Sequence, residues 1–223
     1  MAIPNRRVGP QALRRRKRQP YVGARGTGIT PPPVEYDATG TGYCNAFNGT
    51  TASWSHTARQ GAYVVAVVHG YFNQDTYGTV SSVTYGGAAM TPLYTVYNDN
   101  FIAAGFVTVF GMANAPAGQQ TVTVNLPSSH LAIVVANTFS YTGVVSVSAF
   151  PWPAYGTGTS PFTLSLTNPI NGVTLAAFAS SVGQLASLSG GDIRFNTSYS
   201  AGGALAVMDT AVTGAAAFAA TPP

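Results

Sequence analysis

Charged residues are scarce in this chain of 223 residues, where Asp, Glu, Lys and Arg together make up 7%, against roughly 25% in an average globular domain. A surface with so few charges must be covered by Thr, Ser, Asn, Gln, Gly and Tyr. Such a surface suits a protein held in a permanent assembly or an extracellular protein, and we favour the assembly. The plainer interpretation is a β protein that is simply rich in Thr and Ser.

Cysteine and long apolar runs are also lacking. Cys44 is the only cysteine, so no disulfide can form within the chain. No run approaches the roughly 20 apolar residues of a membrane helix. The basic N-terminal region is not followed by the apolar core of a secretory signal. We therefore expect synthesis in the cytoplasm, no insertion into a membrane, and export only as part of a larger particle.

Side chains that could carry catalysis are few. The histidines are His56, His69 and His130, and the six carboxylates are scattered along the chain. Acid–base and nucleophilic catalysis need groups that act in pairs, and the neighbours Ser55 and His56 would point to opposite faces of one strand. No spacing fits a zinc site or a calcium loop. The sequence therefore predicts no enzyme activity, no cofactor and no metal, and structural roles for the histidines.

The chain does contain many short apolar runs separated by turn residues. Gly86 and Gly87 tolerate the positive φ of a tight hairpin turn. Residues 121–126 alternate polar and apolar, as in a half-buried strand, whereas residues 130–139 are almost all apolar, as in a strand covered on both faces. Ten or more short strands and no long helix predict an all-β fold. We expect a two-layer antiparallel β-sandwich of jelly-roll or immunoglobulin-like topology.

An extended basic arm at residues 1–33 precedes the predicted β-sandwich domain at residues 34–223. The first 25 residues hold a charge of +8, whereas two arginines and six carboxylates give residues 26–223 a net charge of −4. The prolines and the run of cations argue against independent folding, and the three prolines at 31–33 predict a stiff spacer. The cations of the arm are Arg6, Arg7, Arg14, Arg15, Arg16, Lys17, Arg18 and Arg25.

Three interpretations of this arm stay open. It is a solvated, disordered tail, it neutralises the phosphates of nucleic acid, or it docks on a protein partner through arginine–carboxylate contacts. Tyr21 is the only aromatic residue of the arm, which gives base stacking little support. The stiff spacer and the low charge of the remaining chain favour docking on a neighbouring subunit over contact with DNA.

Residues 150–155, with the sequence Phe-Pro-Trp-Pro-Ala-Tyr, form an aromatic stretch stiffened by two prolines. Trp152 and Tyr155 could present flat faces to a sugar ring, because a rigid loop loses little entropy on binding. The competing interpretation is that Phe150 and Trp152 close the end of the sandwich, since large aromatic side chains are usually buried.

Residues 83–91, Val-Thr-Tyr-Gly-Gly-Ala-Ala-Met-Thr, begin a pattern that resembles a β-sandwich module of minor tail proteins from actinobacterial, mycobacteriophage-like phages. Its later pieces are Ala-Pro-Ala-Gly at 115–118, Thr-Val-Thr-Val at 121–124 and Ser-Tyr-Thr-Gly-Val at 140–144. The resemblance spans roughly residues 62–179. It implies a virion structural protein without enzymatic activity, and the basic arm lies outside the resembling module.

The sequence therefore predicts a non-enzymatic bacteriophage virion protein. We expect a minor tail protein that forms a homo-oligomer and is anchored to other virion proteins by its arm. The alternative within the virion is a capsid decoration or minor capsid protein, with the arm facing the shell or the DNA. The alternative from another class is a carbohydrate-binding module that recognises a glycan on the host cell surface.

Overall fold

The structure is a computed structural model, and it describes eight ranges of the chain. All the regular secondary structure in these ranges is β-strand, and the strands pair in an antiparallel sense. The predicted all-β, antiparallel sandwich-like fold is therefore confirmed. The described ranges are 32–47, 49–72, 80–98, 105–126, 131–149, 161–181, 183–200 and 202–222.

Sixteen strands lie within the described ranges, and all of them are short. In chain order they are β1 (Glu35–Thr39), β2 (Tyr43–Ala46), β3 (Thr51–Ala58), β4 (Tyr63–Phe72), β5 (Ser82–Tyr85), β6 (Ala88–Ala89), β7 (Thr91–Asn98), β8 (Gly105–Met112), β9 (Gly118–Asn125), β10 (Leu131–Thr142), β11 (Phe162–Asn168), β12 (Thr174–Ser180), β13 (Ala186–Ser189), β14 (Asp192–Ser198), β15 (Ala204–Thr210) and β16 (Gly214–Thr221).

The strands form four sheets. Sheet 1 has the order β1-β10-β4-β8-β7, with β2 paired to β10 beside β1, and sheet 2 has the order β3-β9-β5-β6. Sheet 3 has the order β12-β15-β14, and sheet 4 has the order β11-β16-β13. Sheets 1 and 2 come from the first part of the chain and sheets 3 and 4 from the last part. The chain thus builds two sandwiches one after the other.

Three clusters of buried apolar side chains join the four sheets. The first lies between sheets 1 and 2 and contains Trp54 and Tyr85. The second lies between sheets 3 and 4 and contains Phe218. The third contains Phe139 of sheet 1 and Leu205 of sheet 3. The sheets therefore stack in the order 2, 1, 3, 4, and the two predicted layers become four.

Sheet 1 packs against both sheet 2 and sheet 3, because its central strands are apolar on both faces. On β4, Val64, Ala66 and Val68 join the first cluster, while Val65 and Val67 join the third. Successive side chains of a strand point to opposite faces, so a strand without polar alternation must be covered twice. On β10, Val134 and Ala136 join the first cluster, and Val135 and Phe139 join the third. The prediction that residues 130–139 are covered on both faces is therefore confirmed for the described residues.

The glycine hairpin is confirmed, but the strand that follows it divides. Gly86 and Gly87 have φ values of 58° and 82° and connect β5 to β6. The sequence predicts one strand over residues 88–97 after this turn, but it is split, because β6 stays in sheet 2 and β7 pairs with β8 in sheet 1. Met90 is 5% exposed and belongs to the core between the two sheets, so the chain crosses there from one layer to the other.

The sequence also predicts a short strand at residues 144–149 and a polar loop at residues 187–192, and neither prediction holds in full. Residues 144–149 form no strand, since β10 ends before Gly143, whose φ is 75°, and the segment has no described strand as a partner. In the predicted loop, residues 187–189 belong to β13, which pairs with β16, and only residues 190–191 connect it to β14. In both places the availability of a pairing partner overrides the local composition.

We expect Leu205→Ala to lower the free energy of unfolding by about 2–5 kcal/mol, because it leaves a cavity in a core that the two sandwiches share. Leu205 is 0% exposed. The control is Ile193→Ala on β14 of the same sheet, where the side chain is 54% exposed and the change should stay within about 0.5 kcal/mol. Urea unfolding followed by circular dichroism measures both, and equal effects would contradict the shared core.

Candidate interaction surface

The described residues hold six charged side chains, and five of them take part in two internal ionic networks. In the first network Arg59 Nε lies 3.1 Å from Asp37 Oδ1, and the Asp37 side chain is only 5% exposed. The same carboxylate accepts hydrogen bonds from Ser140 Oγ, at 2.7 Å, and from the backbone N–H of Arg59, at 2.9 Å. This network ties β1 and β10 of sheet 1 to the end of β3 in sheet 2.

The second network joins sheet 1 to sheet 3. Tyr141 of β10 donates a hydrogen bond of 2.7 Å to Asp209 of β15. Arg194 Nε donates to both oxygens of that carboxylate, at 3.0 and 2.9 Å, and Arg194 Nη2 donates to Asp192. The guanidinium carbon lies 3.9 Å from the ring centroid of Tyr36 on β1. The Asp209 side chain is 3% exposed, so the network satisfies a buried charge.

Electrostatics keep Tyr141 a hydrogen-bond donor. Burial, and next the charge of Asp209, hold the pKa of Tyr141 well above its ordinary value. The hydroxyl therefore stays protonated at neutral pH and donates to the carboxylate. Glu35, at the start of β1, is the one charged side chain in the described ranges that lies outside both networks.

The two described histidines are buried inside the sandwiches. His56 is 1% exposed and packs edge-on against Tyr85, with ring centroids 5.9 Å apart. His69 is 4% exposed, and its Nδ1 lies 3.0 Å from the carbonyl oxygen of Phe106. Burial lowers the pKa of both histidines. The negative charge of Asp37 raises the pKa of His56 in part. Hydrogen bonds to the backbone of Phe106 and Ser180 do the same for His69. His130 lies outside the described residues.

Ser55 and Cys44, which the sequence analysis considered, and the neighbouring Trp54 have packing roles. Trp54 is 6% exposed, and its Nε1 donates a hydrogen bond of 3.0 Å to Thr138 Oγ1. Ser55 points away from the His56 side of β3, and its Oγ lies 3.3 Å from Thr41 Oγ1. Cys44 is half-buried and packs against the third cluster, and burial raises the pKa of its thiol.

A groove of about 1110 Å³ lies between the outer face of sheet 1 and strands β11 and β12. Its floor includes Val107 and Val109 of β8 and Tyr94 of β7, all half-buried. Its opposite wall includes all of β12, residues 174–180. Among the described residues that line it, none is Asp, Glu, Lys or Arg, and the one histidine is the buried His69. The groove is therefore an uncharged surface with aliphatic, aromatic and hydroxyl side chains.

The binding residues predicted from the sequence lie outside the residues that the structure describes. The eight cations of the arm lie in residues 1–31, and Trp152 and Tyr155 lie in residues 150–160, both outside the described ranges. The sequence analysis also missed the ionic networks and the groove. One signal was present: Asp209 interrupts the apolar run of β15, where every residue is buried, and a carboxylate in such a run requires a partner.

Searches with protein-family models, curated proteins and solved structures found no match to this chain. The resemblance to phage tail proteins therefore stays a prediction. In the described ranges no group of three or more His, Cys, Asp or Glu side chains could hold a metal ion. No helix long and apolar enough to span a membrane occurs in the part of the chain that the structure describes.

We expect the two ionic networks to differ in their effect on stability. Arg194→Met should lower the free energy of unfolding by about 3–5 kcal/mol, because it leaves the buried Asp209 without its cation. Arg59→Met should cost only about 0–1 kcal/mol, since the Arg59 side chain is 71% exposed and Asp37 keeps two other donors. Urea unfolding of both variants tests this, and losses of equal size would contradict it.

The buried histidines predict that the fold weakens in acid. In the folded protein the pKa of each histidine is below its ordinary value. In the unfolded chain a histidine titrates at about 6.5. Between those values the unfolded state binds more protons, so stability is complete above about pH 7 and is lost as the pH falls. The loss should reach at most about 1.4 kcal/mol per pH unit for each histidine.

Urea unfolding at a series of pH values from neutral to mildly acidic measures this loss. His69→Gln should flatten the profile in that range, because it removes one of the two described histidines whose pKa is lowered. Tyr199→Phe, a change at a half-buried tyrosine, serves as the control and should leave the slope unchanged. A native chain whose stability does not change across the range would contradict the expectation.

Proposed function

We propose that the chain is a non-enzymatic structural protein of a bacteriophage virion. It acts as a minor tail protein that forms a homo-oligomer, and its basic arm anchors it to neighbouring subunits. The observation that carries the proposal is the distribution of charge. The arm holds a charge of +8 in 25 residues, whereas five of the six charged side chains described in the sandwiches are paired with opposite charges of the same chain.

An outer surface with little charge supports permanent packing against neighbours. Net charge keeps proteins apart in solution, and charged residues are depleted at the centres of protein interfaces. The described part of the sandwiches has few charges to bury when copies pack together. The arm then supplies the attraction, because its arginines can bind carboxylates or phosphates on another component of the particle.

Exposed apolar residues in the turns of the second sandwich give a further point of support. Ile170 is 79% exposed and Val212 is 66% exposed. Asn168 donates hydrogen bonds to the carbonyl oxygens of Val212 and Gly172, at 3.0 and 3.2 Å, and so holds the two turns together. Rigid, exposed apolar side chains suit a contact with another protein, since little entropy is lost on binding.

The alternative placement is that of a capsid decoration or minor capsid protein. The observation that favours it is the run of five consecutive cations at residues 14–18, which could neutralise DNA phosphates inside the shell. The two placements differ in the partner of the arm, and they can be separated because binding to DNA weakens steeply with added salt.

Particles purified by density gradient from the culture that produces the chain test the proposal. Quantitative mass spectrometry should find the chain in a fixed ratio to the major structural proteins. A variant with all eight arm cations changed to Gln should incorporate about tenfold less well or worse, because the charge-assisted contacts are lost. A variant with the seven arginines changed to Lys is the matched control and should still incorporate.

The results separate the parts of the proposal. Absence of the chain from purified particles would contradict a virion role. Equal incorporation of the native chain and the Gln variant would contradict anchoring by the arm. Salt-sensitive sedimentation of the native chain with DNA, lost in the Gln variant, would place the arm on the genome and favour the capsid alternative.

A further inference from the structure

The most exposed aliphatic side chains of the sandwiches lie outside the strands. In the described ranges, the large apolar side chains with the greatest exposure are Ile170, at 79%, Val145, at 75%, and Val212, at 66%. Each of them belongs to a turn or to a connecting segment. Exposed apolar surface that is contiguous marks a contact site, so the question is whether these three residues lie together.

Hydrogen bonds bring the turns of the second sandwich to the end of the arm. The N–H of Val34, the first residue after the arm, donates a hydrogen bond of 2.9 Å to the carbonyl oxygen of Asn171. Asn171 is the neighbour of Ile170 in the turn between β11 and β12. Asn168 ties this turn to that of Val212. Ile170 and Val212 are therefore held close to the point where the arm joins the sandwiches.

The segment after β10 reaches the same place. The backbone of Pro33 packs directly on Gly143, where a Cβ atom would collide with the Pro33 carbonyl oxygen. Val144 packs against the third cluster, and the next residue, Val145, is directed into solvent. Pro32 and Pro33 are exposed as well. We call the surface that surrounds the end of the arm the root patch, and it consists of Pro32, Pro33, Val145, Ile170 and Val212.

Charge complementarity restricts the partner that the arm can bring to the root patch. The arm carries eight cations, and the remaining chain carries six carboxylate side chains. Two of these, on Asp37 and Asp209, are buried and already receive donors from their own chain. A second copy therefore offers at most four carboxylate side chains to eight cations. This imbalance favours a different protein with more acidic groups, because arginine binds carboxylates through charge-assisted hydrogen bonds.

The covalent chain keeps such a partner near the root patch. From Arg25, the last cation of the arm, to Pro32 the backbone spans at most about 25 Å when fully extended. A protein that holds the cations is therefore presented to the root patch at a high effective concentration, roughly millimolar for short linkers. Under that condition a few apolar side chains are enough to add a second contact.

One charged side chain beside the root patch distinguishes a protein partner from a phosphate surface. Glu35 follows Val34, is exposed, and lies outside both ionic networks. The phosphates of DNA or of a membrane would meet this carboxylate as a like charge, which is unfavourable. A protein can place a hydrogen-bond donor opposite Glu35 and an apolar depression opposite Ile170. The root patch therefore fits a protein better than it fits a nucleic acid or a lipid surface.

We propose that the root patch binds the same acidic protein, different from this chain, that holds the cations of the arm. This inference rests on the proposed function, since it assigns a second contact to the anchoring partner. The cations bind carboxylates of that protein, while Val145, Ile170 and Val212 are buried in an apolar depression beside them. Charge speeds the encounter, and apolar burial slows the release.

Photo-crosslinking of the full-length chain in the culture that produces it tests the proposal. The photoreactive residue p-benzoylphenylalanine replaces Ile170 in one variant and Arg16 of the arm in another. Crosslinked peptides are identified by mass spectrometry, both in the whole culture and in purified particles. We expect both positions to crosslink to one protein other than this chain, with the crosslinks from position 16 near Asp and Glu residues. The control is the same probe at Thr51, an exposed residue of β3, which should not crosslink to that protein.

Two double variants separate the apolar contact from the charge of the arm. Val145→Ser combined with Ile170→Ser should lower incorporation into purified particles at least about tenfold, because two apolar side chains are no longer buried against the partner. Val145→Leu combined with Ile170→Leu keeps apolar side chains at both positions and should incorporate like the native chain. Both variants keep the eight cations. Both should also unfold at the native urea concentration, since the two side chains are exposed.

Several results would overturn the proposal. They are crosslinks from position 170 to another copy of this chain, to DNA, to lipid or to a protein that position 16 does not reach, and the absence of any crosslink from position 170. Native-like incorporation of the Ser variant would overturn it as well.

The two proposals can fail separately. A chain found in particles that crosslinks from position 16 but not from position 170 would refute the second contact and leave the virion role standing. One acidic partner reached from both positions in the culture, by a chain that is absent from purified particles, would refute the virion role and leave the two-part contact standing.

Discussion

The structure depends on one constraint, namely that the central strands of sheet 1 are apolar on both faces. Val67 and Val68 are adjacent in β4, yet each is fully buried in a different core. A single sandwich would leave one of these faces in water, which costs roughly 25 cal/mol for each Å² of apolar surface. The second sandwich covers that face, so its place in the stack follows from the composition of β4 and β10.

The few charged side chains near the cores form ion pairs and hydrogen bonds that connect neighbouring sheets. Asp209 and Asp37 are almost completely buried, and each receives donors from more than one strand. Such networks specify which sheets meet, because a misplaced layer would leave a buried carboxylate unpaired. They also pair most of the described charges with opposite charges of the same chain, which leaves the arm as the region where positive charge is concentrated.

The sequence predicted individual strands better than their partners. Period-two alternation located β9, and its Val122 and Val124 are fully buried; the glycine pair located the turn after β5. The split between β6 and β7 was not predictable, since the same alternation serves a strand in either sheet. The groove was missed for a related reason: it depends on how many strands each sheet contains, which is a property of long-range pairing.

By itself, the sequence determined the all-β class, the position of several turns and the separation of charge between the arm and the rest, because these follow from local periodicity and composition. Only the tertiary structure decided that the layers number four, that Asp209 meets Tyr141 and Arg194, and that β12 borders an open groove. These features join residues far apart in the chain, such as Tyr141 and Asp209, and no local pattern encodes which distant strand a given strand will meet.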